Sequence, residues 1–276
     1  MTDQQAAATL CYNFNEKNRG VAVVINQKYF YESTKQLTRD GTDIDAVNIA
    51  NTLVDLGFEV HRYDDLLMAE MHKLMRKFGA DDHTDSDCFV CVILSHGIEG
   101  RVYGVDGSLS IETLVAPFKG DRCASLVGKP KLFFIQACRG TKFMHSVEVD
   151  QTDAAPDVKI QTIPTEADFL MAYSVVPGHF SWRNNVDGSW FIQAICRVLK
   201  EVGTTMELMH MMIYVNRIVA YEFKSCTDRK WTDGMKQIPA ITSMLTKLVY
   251  FNVKDCPKAG ITLYKSQSQL GDHEYK

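Results

Sequence analysis

Short, unbroken apolar runs alternate along this chain with longer stretches in which apolar residues return every three or four positions. The first pattern is that of strands buried on both faces, the second that of helices laid against a sheet. Residues 21–25 form the first strand. Thr42-Asp43 caps a helix bearing Ile44, Val47, Leu53 and Leu56, and Gly57 stops it. A strand over 58–63 precedes a helix over 66–78, whose face carries Leu67, Met71, Leu74, Met75 and Phe78 and which Gly79 ends. Residues 88–94 make a second deeply buried strand that runs into Ser95-His96-Gly97. A small hairpin over 102–107, a helix over 111–118 and a third buried strand over 131–135 follow.

Beyond that strand, residues 142–165 are polar and without period, as expected of a flexible linker. A strand over 167–176, helices over 189–202 and 204–222, a polar loop over 224–237 and a last strand over 243–251 complete the pattern. Strands separated by helices predict a mostly parallel sheet covered on both faces.

Two of the strands end on reactive side chains. Residues 131–135 lead into Gln136-Ala137-Cys138-Arg139-Gly140, and open α/β sheets bind ligands at such carboxyl-terminal strand ends. Cys138 and His96 each end a buried strand, so they can meet at one sheet edge although distant in sequence. A thiolate attacks a carbonyl, and an imidazolium protonates the departing nitrogen. Gly97 follows His96, and its N–H together with that of Cys138 can form an oxyanion hole, at about 3 kcal/mol per donor. Alone, each residue has a bland explanation, a small core cysteine or a satisfied histidine. Their shared placement at strand ends favours chemistry.

Composition narrows the classes. A net charge of −4 over 276 residues gives no field for a polyanion, so no nucleic-acid partner is expected. The longest apolar runs are far too short to span a bilayer, and the N-terminus lacks a signal-peptide pattern. Eight cysteines without the dense spacing of a secreted scaffold suggest a reducing, cytoplasmic setting. Cys88 and Cys91 form a C-x-x-C, but a strand points them to opposite faces, and no second pair completes a metal site. Cys88, Cys91 and Cys196 are expected in or near the core, and Cys11, Cys123, Cys226 and Cys256 are expected to be incidental.

Several segments occur in an order that resembles the caspases. They are Leu37-Thr38-Arg39-Asp40-Gly41-Thr42-Asp43, residues 88–97, the Cys138 pentapeptide, Phe180-Ser181-Trp182-Arg183-Asn184, Gly188-Ser189-Trp190-Phe191-Ile192-Gln193 and Gln237-Ile238-Pro239. The resemblance runs from about residue 12 to 252 and is to the effector type. It implies a three-layer α/β/α fold with a mostly parallel sheet of about six strands. It also implies a cysteine endopeptidase of programmed cell death that cuts proteins after aspartate, without metal or cofactor.

By this resemblance Cys138 is the nucleophile and His96 the acid/base, and Arg39, Gln136 and Arg183 line the aspartate pocket. Two buried guanidiniums repel unless an anion lies between them, and a carboxylate gains charge-assisted, bidentate bonds there. Phe180, Trp182 and Trp190 become walls for residues upstream of the aspartate, beside a strand to which an extended peptide adds edgewise. Asn184 is expected to help read the residue four positions upstream. The loop over 225–231, ending in Trp231, departs from many effector caspases.

The resemblance also divides the chain into a short leader (1–11), a large-subunit part (12–150), a linker (151–165) and a small-subunit part (166–276). Val147-Glu148-Val149-Asp150 is the expected processing site, with Asp153 and Asp157 as alternatives. An upstream protease would cut it, ordering the active-site loops of a zymogen. The segment near 241–245 resembles the family's dimer contact, implying a homodimer. Two other classes remain. The intact dyad and arginines argue against a catalytically dead scaffold, and Arg39 and Arg183 argue against a related protease specific for Arg or Lys.

Overall fold

Strand β3 (Phe89–Leu94) is buried along its whole length, and its side chains divide between two cores. Val90, Val92 and Leu94 face one side, while Phe89, Cys91 and Ile93 face the other, as the two-residue period of a strand requires. The computed structural model of the protein describes residues 10–140, 142, 144, 167–184, 186–227, 232–254 and 260–266.

Around β3 lie β1 (Val21–Asn26), β2 (Glu59–Asp64), β7 (Lys131–Gln136), β8 (Phe169–Tyr173), β11 (Ala240–Ser243) and β12 (Ile261–Lys265). They form a seven-stranded sheet in the order β11-β8-β7-β3-β1-β2-β12, in which only β11 runs antiparallel to its neighbour. Helices α1 (Thr42–Asp55), α4 (Trp190–Val202) and α5 (Leu208–Glu222) cover one face through Ile49, Leu53, Phe191, Ile195, Met211 and Val215. Helix α2 (Met68–Ala80) and the short α3 (Ile111–Val115) cover the other, through Met71, Met75, Phe78 and Leu114. This is a three-layer α/β/α sandwich. Two short ladders lie beside the main sheet: β4 (Gly97–Ile98) with the hairpin β5 (Arg101–Gly104) and β6 (Gly107–Ser110), and β9 (Arg183–Asn184) with β10 (Gly188–Ser189). No helix among the described residues is long and apolar enough to cross a membrane.

The structure differs from the sequence pattern in several places. The sheet has one strand more than the expected six, because β12 pairs in parallel with β2. Tyr264 of β12 stacks on Tyr63 with ring centroids 4.5 Å apart, and Ser266 donates to Glu70 of α2. The last strand of the core does not span 243–251. β11 ends at Ser243, and the following segment instead crosses to the N-terminal residues, where Tyr12 N–H donates to Leu248 O at 3.0 Å. α5 starts at Leu208 rather than 204, since the Glu207 carboxylate caps it by accepting the His210 N–H. α2 runs through Gly79, which packs too closely on Pro117 for any side chain, and ends at Ala80. Cys123, expected to be incidental, is buried in the core beside Leu126 and Phe118.

Candidate active site

The parallel register of β3 and β7 sets Leu94 opposite Gln136, so His96 and Cys138 leave the sheet at the same edge. Gly97 brings the two turns together: a Cβ there would lie 2.7 Å from the Cys138 carbonyl oxygen and 2.9 Å from Ala137 Cβ. The Tyr103 N–H donates to the His96 carbonyl at 3.0 Å, which makes Gly97–Val102 a non-hydrogen-bonded pair and leaves the Gly97 N–H outside the ladder.

His96 Nε2 lies 2.7 Å from the Leu37 carbonyl. A carbonyl only accepts, so Nε2 carries the hydrogen and Nδ1 is the basic nitrogen. Phe30 packs on the ring at 4.9 Å. Burial pushes the imidazole down to about 4, and the charges of Arg39 and Arg183 act in the same direction. The Cys138 thiol accepts the Ser181 N–H at 3.5 Å. Burial raises it above the usual thiol range, against the Ser181 N–H and the two arginines. Both shifts favour the uncharged forms, a thiol and a neutral imidazole.

Arg39 is 1% exposed. Its Nη1 donates to the Gln27 carbonyl (2.8 Å) and to Thr42 Oγ1 (2.6 Å), while Nε and Nη2 have no hydrogen-bond partner among the described residues. Burial first, and Arg183 second, lower its affinity for the proton to about 9, a sign of a buried cation short of counter-charge. Arg183 is partly buried on β9, with Nε donating to the Asp40 carbonyl at 2.7 Å. Asp45 of α1, also buried, feels both arginines and accepts the Ser189 N–H at 2.8 Å, yet burial still raises its carboxyl to about 6. Gln136 donates from Nε2 to Ser181 Oγ at 2.8 Å and leaves Oε1 orphaned. Exchanging the ends of the amide satisfies it: Ser181 O–H then donates to Oε1, and the N–H₂ is available to a carboxylate.

The aromatic residues form a ladder in which Phe180 meets Trp182 edge-on at 5.6 Å. Trp182 stacks on Trp190 at 5.8 Å, and Trp190 on Phe223 at 5.4 Å. Phe180 is 38% exposed, whereas Trp190 is only 7% exposed and backs the Trp182 ring. Trp190 thus backs the ring of Trp182 from behind, on the side of Phe223. Asn184 is exposed, and its side chain is engaged by its own turn, through Asp187 Oδ2 and the Val186 N–H. Asp150, Asp153, Asp157 and Trp231 lie outside the described residues.

Sequence reasoning missed other members of the site. Arg139, adjacent to the thiol, does not serve it: its guanidinium pairs with Glu99 at 2.6 Å and lies over the Tyr173 ring at 4.2 Å. Glu99 also accepts the Gly178 N–H, and a Cβ on Gly140 would lie 2.3 Å from the Gly178 backbone. Asp45 and Phe223 join the site through contacts across long sequence separations, which no local pattern encodes.

A family model described as the caspase domain matches residues 19–250, so β12 lies beyond the matched range. Caspase-7 of Gallus gallus is 46% identical over 251 residues, covering 88% of this chain and 80% of the relative. Caspase-3 of Bos taurus is 47% identical over 240 residues, 87% of each. Among solved structures, caspase-1 from Spodoptera frugiperda superposes with a TM-score of 0.82 at 39% identity, covering 89% of this chain and 96% of that one.

Proposed function

The chain belongs to the caspase family as an aspartate-specific cysteine peptidase of the effector type, and from that premise we propose how its residues divide the work. The carboxylate of the substrate aspartate lies between Arg39 and Arg183, taking the donors that Arg39 leaves unpartnered, with the Gln136 N–H₂ as a third contact. The peptide upstream extends along the edge of 181–183 that faces the nucleophile, with Phe180 and Trp182 as walls. Asn184 serves the outermost position.

Cys138 Sγ attacks the scissile carbonyl carbon as its proton passes to His96 Nδ1. The carbonyl oxygen becomes an oxyanion held by the Gly97 and Cys138 N–H groups. The imidazolium then protonates the leaving amine, and the C–N bond breaks to give a thioester. Water, deprotonated by His96, hydrolyses the thioester and frees the thiol.

The observation that carries this reading is the buried Arg39, with two donor nitrogens unpartnered among the described residues, close enough to the partly buried Arg183 to feel its charge and acting on both His96 and Cys138. Linker-cleaved enzyme should release a fluorophore from a tetrapeptide ending in aspartate. It should fail on the arginine analogue, and Cys138→Ala should be inert. Turnover of the arginine peptide refutes the pocket.

The same reading extends to regulation. The protein is a cytoplasmic zymogen of apoptosis, cut after Asp150 by an upstream protease. It pairs as a homodimer through the β11 edge, which among the described residues has a sheet neighbour on one side only. Changing Asp150, Asp153 and Asp157 together to alanine should keep the chain intact during activation. Processing between 147 and 160 in that variant refutes the linker assignment.

A further inference from the structure

Gln237 belongs to the Gln237-Ile238-Pro239 motif but has no part in the chemistry above. It is 1% exposed. Its Oε1 accepts the Trp182 N–H at 2.7 Å, and its Nε2 donates to the Ser174 carbonyl at 2.7 Å. Ser174 follows β8; its hydroxyl donates to the Ala137 carbonyl at 3.1 Å and its N–H to Ile135 O at 2.9 Å. One side-chain amide therefore links the turn that carries the nucleophile to the segment along which the substrate is read.

The direction of the backbone groups gives this link its meaning. In extended chain, successive N–H groups point to opposite edges. The Ser181 N–H points to Cys138 Sγ, and the Trp182 N–H points the other way, to Gln237. The N–H and carbonyl of Arg183 return to the Cys138 edge, where a substrate main chain would pair. That edge stays straight only if the opposite one is held. Farther along, β10 holds it by pairing with Arg183–Asn184, but Trp182 lies outside any ladder. We propose that Gln237 is a positioning residue whose amide stands in for a neighbouring strand at Trp182, fixing the register in which the substrate main chain adds to residues 181–183. The proposal rests on the edgewise binding read above and adds the residue that makes the edge competent.

The test uses the linker-cleaved enzyme with Gln237→Leu, which keeps the volume and loses both hydrogen bonds. Gln237→Met, unbranched and of equal length, is made alongside it and carries the same expectations if the leucine variant does not fold. KM and kcat are measured on a tetrapeptide ending in aspartate and on a single aspartyl amide. Alkylation of Cys138 by iodoacetamide is followed in parallel.

With the Trp182 N–H and the Ser174 carbonyl deprived of the Gln237 amide, KM for the tetrapeptide should rise about tenfold or more while kcat stays within about threefold. The single aspartyl amide, which barely uses the edge, and the alkylation rate should stay within about threefold of wild type. An unchanged tetrapeptide KM overturns the proposal. Equal losses on both substrates and in alkylation also overturn it, because they assign Gln237 to the turn at Ala137 instead. Wild-type enzyme that binds the tetrapeptide no better than the single aspartyl amide removes the edgewise reading, and the proposal with it. A tetrapeptide advantage in wild type that survives intact in the variants removes the proposal alone.

Discussion

Arg183→Ala separates substrate reading from fold stability. In the resting pocket Arg183 gives one bond among the described residues, Nε to the Asp40 carbonyl at 2.7 Å, and its charge opposes that of buried Arg39. Its removal takes from a bound carboxylate one or two charge-assisted hydrogen bonds, each worth about 1.5–3 kcal/mol. At about 1.4 kcal/mol per decade, two such bonds predict a fall in kcat/KM of roughly a hundred- to ten-thousand-fold on a peptide ending in aspartate. The isosteric asparagine peptide draws no charge-based benefit from Arg183, so its slow turnover should fall far less. The Asp/Asn ratio, measured with paired fluorogenic tetrapeptides, therefore collapses along with the rate. Stability moves the other way: relieving the repulsion on Arg39 leaves the melting temperature unchanged or raised. A retained Asp/Asn ratio, or an equal loss on both peptides, refutes the pocket. A large drop in melting temperature refutes the electrostatic account.

Gly140→Ala forces a Cβ to within 2.3 Å of the Gly178 backbone, so stability should fall by about 1–3 kcal/mol with kcat/KM; an unchanged melting curve would count against the close approach. Because burial raises the Cys138 thiol, alkylation of the resting enzyme by iodoacetamide should keep accelerating past pH 9, and a plateau at pH 7–8 would show a preformed thiolate. Asp45 has a raised carboxyl, so the native state binds its proton more tightly than the unfolded chain, and stability falls as pH rises from about 4 through about 6. Asp45→Asn should remove roughly 3 kcal/mol of that fall, seen in denaturant titrations at pH 4 and 7 as a gain over wild type on the alkaline side; a pH-independent difference excludes this.

The parts of the fold most legible in the sequence are those buried on both faces. β3 and β7 have no solvent side, so they appear as continuous apolar runs, and the residues just after them mark the sheet edge where His96 and Cys138 emerge. β12 escaped notice for the opposite reason. It is an edge strand whose side chains are mostly solvent-facing, so Ile261–Lys265 carries no burial signal, and its pairing with β2 comes from backbone geometry. The apolar residues over 244–251 misled because Val249 and Phe251 are buried without belonging to the sheet; they seal the core where the chain meets Tyr12. Arg39 and Arg183 were placed by resemblance, but Gln27 and Thr42, which hold Arg39, and Asp45, whose charge acts on both arginines, converge only in the fold. Trp190 was placed by the same resemblance, but its burial between Trp182 and Phe223 depends on contacts that the motif does not encode.

In the proposed mechanism the two arginines bear on the two halves of the reaction unequally. When Cys138 passes its proton to His96, a thiolate and an imidazolium form together. Arg39 and Arg183 favour the first and oppose the second, so their field largely cancels in that step. In the thioester no thiolate remains, and His96, lowered to about 4 at rest, faces the arginines alone as it takes a proton from water. The substrate carboxylate, still bound between them at that stage, then matters most. With Asp45 it supplies two negative charges against two positive ones, which removes the arginines' part in weakening the imidazole and leaves the larger part, burial, in place. A neutral residue in the pocket loses twice, first in binding and again in deacylation, where no thiolate offsets the field. Preference for aspartate should accordingly appear in kcat as well as in KM, because the groups that recognise the side chain also act on the histidine that completes the turnover.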